Sequence, residues 1–401
     1  MKQGVSTRAR PAVSSEDLRD TSNLKGPRRN RLIPHADARR IVLIGLGIVL
    51  VVAALVFKLP AELAVRLEPV SASLPDYGAQ PVALIADERI FTLYAARNAV
   101  GFDDEYDGTA MHPVREQVRT ALGSLPASVR ERLAAQMSAV SDYAAVTWML
   151  GRGPAPAFGR ADPSSWALGP AAPFYGLDAT LRDFHAAAHL DALWAEVLPV
   201  YQSEIARWKP IAEQSQRTVK AYLRTESLPY RQMVVIPNLL DSHYSGYGPQ
   251  VGAIAYVVAG PTEDERSLAG LIEHELLHSL VGPVLDANLD AVDQAQAERL
   301  YAVLKTTMPA GYGTWPSALE ENLLRAINLR LVPDPALRAN QIDRLEQAGF
   351  LLIRPLDTAL TAYERSGLPF AEYAPMLLQS LNEVDLSAQT SGAPGNTPRA
   401  V

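Results

Sequence analysis

The chain has 401 residues, 48% of them hydrophobic and 20% charged, which is enough apolar material to bury a sizeable core in one large domain or two ordinary ones. It contains no cysteine, so disulfide frameworks and thiolate metal sites are excluded, and any zinc has to be held by histidine and carboxylate. The net charge of -7 hides an uneven distribution, because a basic excess is concentrated before Ile41, in Lys2, Arg8, Arg10, Arg19, Lys25, Arg28, Arg29, Arg31, Arg39 and Arg40.

Residues 1–40 are polar, basic and rich in Ser, Pro and Arg, with no sustained apolar period, and read as a disordered tail. A basic tail is compatible with nucleic acid, but this one abuts an apolar run, where basic flanks set membrane orientation, so no nucleic-acid partner is expected. Ile41 to Phe57, IVLIGLGIVLVVAALVF, has about the length needed to cross a bilayer as a helix. Arg39 and Arg40 before it, against Lys58 alone just after it, predict a cytoplasmic N-terminus, a single pass through the cell inner membrane and a periplasmic or extracellular remainder. Residues 58–80 read as a linker, 81–386 as the folded domain and 387–401 as a disordered tail.

Within the domain, helical periodicity dominates. It predicts helices over Pro113 to Leu122, Ser128 to Leu150, Ala179 to Thr225 with a break at Pro199, Asp293 to Thr307, Ser317 to Leu331 and Pro335 to Gln347, with a final pair between Asp357 and Leu381. Two strands are expected, Gln232 to Leu239 and Val251 to Ala259, separated by the Gly/Tyr-rich SHYSGYGPQ. The fold class is therefore α+β, mostly helical, with a small β-sheet.

Directly after the second strand comes PTEDERSLAGLIEHELLHSLVGP, with Thr262 and Glu265 in capping-box spacing and Gly282-Pro283 at its end, which predicts one bounded helix. Its second half is apolar nearly all round apart from Glu273, Glu275 and two histidines, so it should be the buried central helix of the domain. His274 and His278 stand at i and i+4, on one helix face a turn apart, where both imidazoles reach one tetrahedral metal ion. Glu275 between them is left free to act as a base. Two imidazoles and a carboxylate buried without partners would cost several kcal/mol, on the order expected for desolvated polar groups, and a bound zinc satisfies them.

A catalytic zinc keeps three protein ligands and one open position, so a third ligand has to come from another element. No histidine follows in HExxHxxGxxH spacing. Downstream, AGYGTWPSALEENLLRAINLRL offers Glu320 and Glu321 as adjacent candidates. A helical wheel favours Glu320, which shares a stripe with Leu324, Ile327 and Leu331, whereas Glu321 shares one with Arg325 and Asn328.

HELLHSLVGP from His274 and YGTWPSALEENLLRA from Tyr312 to Ala326 resemble the gluzincins, and more closely a little-characterised bacterial family of predicted HExxH zinc metallopeptidases. The resemblance implies a zincin-like domain built around the central HExxH helix. It also implies peptidase activity on a peptide or protein substrate, and a third zinc ligand three residues before Leu324-Arg325-Ala326, which is Glu321. Arg325, one turn on, is then a partner for the free carboxylate oxygen. An aspartate stands at that place in the thermolysin-like arrangement, so the group that orients the histidines is open among Asp286, Asp290 and Asp293.

The expected chemistry is peptide hydrolysis in which Glu275 takes the proton of a water acidified by Zn2+ and returns it to the leaving amine. Tyr312 is the favoured donor to the oxyanion, with His243, Tyr244 and Tyr247 as alternatives in Gly-rich segments. The strand Val251 to Ala259 is a candidate sheet edge for an extended peptide. His185 and His189 repeat the i, i+4 spacing without an intervening glutamate and read as flanking a packing stripe at the solvent border; His35 and His112 carry no constellation. The rival reading is a catalytically inactive zinc-binding or scaffold module on the cell envelope, against which the intact Glu275 speaks, since a structural site needs no base.

Overall fold

The computed structural model describes residues 61–106, 108–162 and 171–387, and the elements are taken in chain order. The apolar run 41–57, the basic tail and residues 388–401 lie outside the described residues. Among those described, no helix is long and apolar enough to cross a membrane.

A short helix α1 (61–66) leads to strand β1 (Val82–Leu84) and helix α2 (Glu88–Ala99). Four helices follow, α3 (Pro113–Ala121), α4 (Ala127–Met137), α5 (Asp142–Leu150) and α6 (Leu177–Ala187), and then the long α7 (Leu190–Leu223). Strands β2 (Gln232–Pro237), β3 (Gly246–Tyr247), β4 (Gln250–Val251) and β5 (Ile254–Ala259) precede α8 (Glu265–Asp286). The chain closes with α9 (Gln294–Thr307), α10 (Trp315–Arg330), α11 (Pro335–Gln347), α12 (Ile353–Ser366) and α13 (Phe370–Gln379). The result is mostly helical with a small mixed sheet.

The sheet order is β1-β2-β5-β3, with β4 also on β5; β1, β2 and β5 run parallel and the short β3 and β4 run antiparallel to β5. Strand alternation divides the core. Met233, Val235, Ala255, Val257 and Ala259 face one cluster with α8–α13, whereas Val234, Ile236, Ile254, Tyr256 and Val258 face a second cluster with α2–α6. Both faces of the sheet are thus covered, which is why β2 and β5 are continuous apolar runs rather than alternating ones. α7 serves both cores, with Leu193, Val197 and Tyr201 in one and Trp208, Ala212 and Val219 in the other.

Several expectations change. β5 pairs with β2 on one side and with β3 and β4 on the other, so it is not an edge; the edge beside α8 is β3. The predicted helix 128–150 is two helices, because the chain turns at residues 138–141 and α5 restarts after Ser141. The break expected at Pro199 falls instead at His189, whose left-handed backbone (φ 50°) separates α6 from α7, while Pro199 and Pro210 are carried inside α7. Helix α8 starts after Asp264, whose carboxylate accepts from Ser267 N at 2.7 Å, and runs through Gly282-Pro283 to Asp286. Pro283 lacks a helical donor and crowds the carbonyl four residues back, yet α8 runs on through it.

Residues 61–80, read as a linker, pack on the domain. Three buried arginines hold them: Arg89 donates to the Tyr77 hydroxyl at 2.8 Å, Arg152 pairs with Glu68 at 2.5 Å, and Arg160 donates to the carbonyls of Arg66 and Glu68. The segment is ordered here because it supplies acceptors to guanidinium groups that could not otherwise be buried.

Asp241, 1% exposed after β2, accepts from Ser242 N at 2.8 Å and Asn238 Nδ2 at 3.3 Å. Burial pushes its carboxyl up to about 6. A raised folded-state value means that its contribution to stability is complete below the ordinary carboxylate range and is lost as pH rises through about 6. Asp241→Asn removes that loss. Its stability relative to the parent, read from urea titrations, should therefore improve between pH 4 and pH 7 by about 2 kcal/mol, the scale of a shift of that size; a difference independent of pH contradicts it.

Candidate metal centre

The centre lies between α8 and α10, which pack along one face of the sheet. α10 is fixed at its start by a capping box, in which the Thr314 hydroxyl accepts from Ser317 N and the Ser317 hydroxyl accepts from Thr314 N. Six residues on, Glu320 and Glu321 face α8. Both carboxylates are used, in different ways.

Glu321 is 5% exposed and faces both imidazoles: its Oε1 lies 3.5 Å from His274 Nε2, and its Oε2 lies 3.9 Å from His278 Nε2. Those separations are too long for good hydrogen bonds. They are close to the roughly 3.3 Å that separates neighbouring ligand atoms about 2.0–2.1 Å from one tetrahedral zinc. The two rings cross at 86° with centroids 5.3 Å apart, as expected for i, i+4 histidines whose Nε2 atoms converge. Donor type, nitrogen choice and spacing fit a divalent ion.

Glu320 instead takes the far side of His278, with Oε1 3.0 Å from Nδ1. That contact leaves Nε2 free to turn toward Glu321, which is the work of a carboxylate behind a metal-binding histidine. The group that orients His278 is therefore Glu320, rather than Asp286, Asp290 or Asp293. Gly282 explains how Glu320 fits, since a Cβ there would come within 2.9 Å of its Oε1. The wheel counted Glu321 with polar residues, and the structure gives the physical reason it is nonetheless buried: Arg325 binds Glu321 Oε1 at 2.6 Å and lies 4.5 Å from the Phe350 ring centroid.

Electrostatics divide the carboxylates. Burial works to raise Glu321, but the positive charges of His274, Arg325 and His278 outweigh it and hold the carboxyl well below the usual range. Glu275, 6% exposed, goes the other way, raised by burial against the pull of His274 and His278. Burial works to lower His278, yet the hydrogen bond to Glu320 and the charges of Glu275 and Glu321 raise it to about 9. Two glutamates so close together with opposite shifts suit a fixed ligand and a proton acceptor respectively.

Tyr312 is half-buried beside this group; burial and the charge of Glu321 raise its phenol to about 12, against Arg325. The other proposed oxyanion donors are engaged elsewhere. His243 gives both its backbone N–H and its Nδ1 to Glu105 Oε1, at 2.7 and 2.9 Å. Tyr247 packs by Tyr94, and Tyr244 stacks edge-on with Tyr106 at 5.1 Å. A residue that the sequence reading missed is Tyr143 on α5, 38% exposed, whose phenol lies within reach of the charges of Glu275 and Glu320. Only its place in the fold reveals it, because nothing near it in sequence marks a site.

Among the described residues, a second group brings three ligand atoms within 4.8 Å of one another: Glu88, His185 and Asp191. His185 is 2% exposed rather than at the solvent border, with Nε2 3.2 Å from Glu88 and 3.6 Å from Asp191. The two carboxylates begin α2 and α7 while the imidazole ends α6 and is hydrogen-bonded to Glu88, so the helix ends and this bond account for the cluster. His189, exposed at the α6–α7 break, is not part of it. His112 caps α3 by accepting from Val114 N.

Comparison with protein-family models, with curated proteins and with solved structures finds no match to this chain.

Proposed function

We propose that this chain is a zinc-dependent metallopeptidase of gluzincin type, anchored in the inner membrane by Ile41–Phe57 with its domain outside the cytoplasm. The supporting observation is that one buried carboxylate, Glu321, faces the Nε2 atoms of both HELLH histidines while Glu275 stands beside them without joining the set. His274, His278 and Glu321 would hold the ion. Bound zinc supplies a Lewis acid that acidifies water and shares oxyanion charge.

The chain's own groups do the rest. Glu275, raised by burial, takes the proton of the attacking water and delivers it to the leaving amine. Tyr312, whose phenol lies beside Glu321 and Arg325, is the group that would donate to the oxyanion. Arg325 fixes Glu321, and Glu320 fixes His278, so neither ligand has to be ordered when the ion arrives. A peptide substrate is favoured because the sheet edge at β3 runs along α8 at Glu275, where an extended chain can add its own backbone hydrogen bonds.

The test is zinc removal. The purified full-length chain should cleave an unstructured protein substrate, lose the activity to a chelator and regain it with zinc. Zinc binding without cleavage points to the rival reading, an inactive zinc-binding or scaffold module.

A further inference from the structure

SHYSGYGPQ contains two glycines, and they meet Glu275 in different ways. A Cβ added at Gly248 would collide with the Glu275 carbonyl oxygen, which is helix backbone and cannot move. A Cβ added at Gly246 would fall well inside 3.0 Å of Glu275 Oε1 and 2.7 Å from Leu271 Cδ1, which are the free ends of two side chains. Strand β3 cannot back away to relieve that overlap, because Gly246 is paired with Ala259 and Tyr247 with Val258. The carboxylate and the leucine would have to move instead.

We infer that Gly246 is a positioning residue for Glu275: the missing side chain on the sheet edge sets where the carboxylate stands. This inference rests on the hydrolase reading for its catalytic consequence, but not for its geometry. The three atoms nearest a Cβ at Gly246 belong to Glu275 and Leu271 and none is a ligand atom, so a substituent there shifts the base relative to a metal set that stays in place. Gly248 has the opposite character and serves packing.

The experiment compares Gly246→Ala, Gly248→Ala and the parent as zinc-loaded full-length protein, measuring zinc content, Tm, kcat and KM, with crystal structures of the parent and Gly246→Ala. The Gly246 variant should keep its zinc, with Tm within about 2 °C and KM within about threefold of the parent, while kcat falls about 10²-fold, the scale of a misplacement near 1 Å. Gly248→Ala should instead lower Tm. Adding Glu275→Asp, which shortens the side chain by one methylene, should cost Gly246→Ala less than it costs the parent. Unchanged kcat in Gly246→Ala, or loss of Tm and zinc to the extent seen in Gly248→Ala, overturns the inference. An inactive parent sinks the hydrolase reading instead. The positioning claim then stands or falls on whether the crystal structures show the Glu275 carboxylate displaced by the added methyl.

Discussion

Glu275→Gln should retain zinc and lose turnover by about 10²–10⁴-fold, the usual contribution of a general base. The amide keeps the size of the carboxylate, so the close fit against Gly246 and Leu271 is preserved. The ligand set is untouched because Glu275 is not part of it. In chelator, stability should not fall at neutral pH. Burial raises the Glu275 carboxyl, so the ionised form is the one that the folded protein disfavours, and a neutral amide removes that cost. Metal analysis, a pH-dependent melt and a progress curve on one preparation check all three expectations. A variant that loses zinc together with activity would make Glu275 a ligand, and full activity would remove its role altogether.

Glu321→Ala should be damaging in a different way. It deletes the proposed third ligand and leaves Arg325, whose Nε has no hydrogen-bond partner among the described residues, without its carboxylate partner. Removing one partner of a buried ion pair costs about 3–5 kcal/mol; because Arg325 keeps a third of its side chain exposed, about 2–4 kcal/mol is expected. The two losses separate cleanly. In chelator, denaturant titration of parent and variant compares the ion pair alone. On adding zinc, the parent should gain stability by mass action and the variant should not. If zinc stabilises both equally, the ion sits elsewhere.

How much of this could be read from residues alone depends on how local the cause is. HELLH fixes two imidazoles and a base through helical spacing, and strands β2 and β5 announce themselves as β-branched runs, so α8 and its place after β5 were legible. The roles of Glu320 and Glu321 were not separable by a wheel, because both face α8 and what divides them is Arg325 on one and the Nδ1 of His278 on the other. α2 left no period because almost its whole circumference is buried, with Thr92 turned inward and Arg89 and Asn98 bonded to the distant carbonyls of Leu150 and Leu240. β1, β3 and β4 have two or three residues each, too few to show alternation. The α6–α7 break rests on one left-handed residue, His189, and no sequence rule selects it over Pro199. The packing of 61–80 is set largely by distant arginines, Arg152 and Arg160, each more than eighty residues from Glu68.

The central claim is a place for one metal ion. Crystals of the zinc-loaded protein, with diffraction recorded on both sides of the zinc absorption edge, locate it without reference to activity. A single strong anomalous peak is expected about 2.0–2.1 Å from His274 Nε2, His278 Nε2 and a Glu321 oxygen. A protein that crystallises from zinc with no peak between α8 and α10, or with its peak at Glu88, His185 and Asp191, would contradict it.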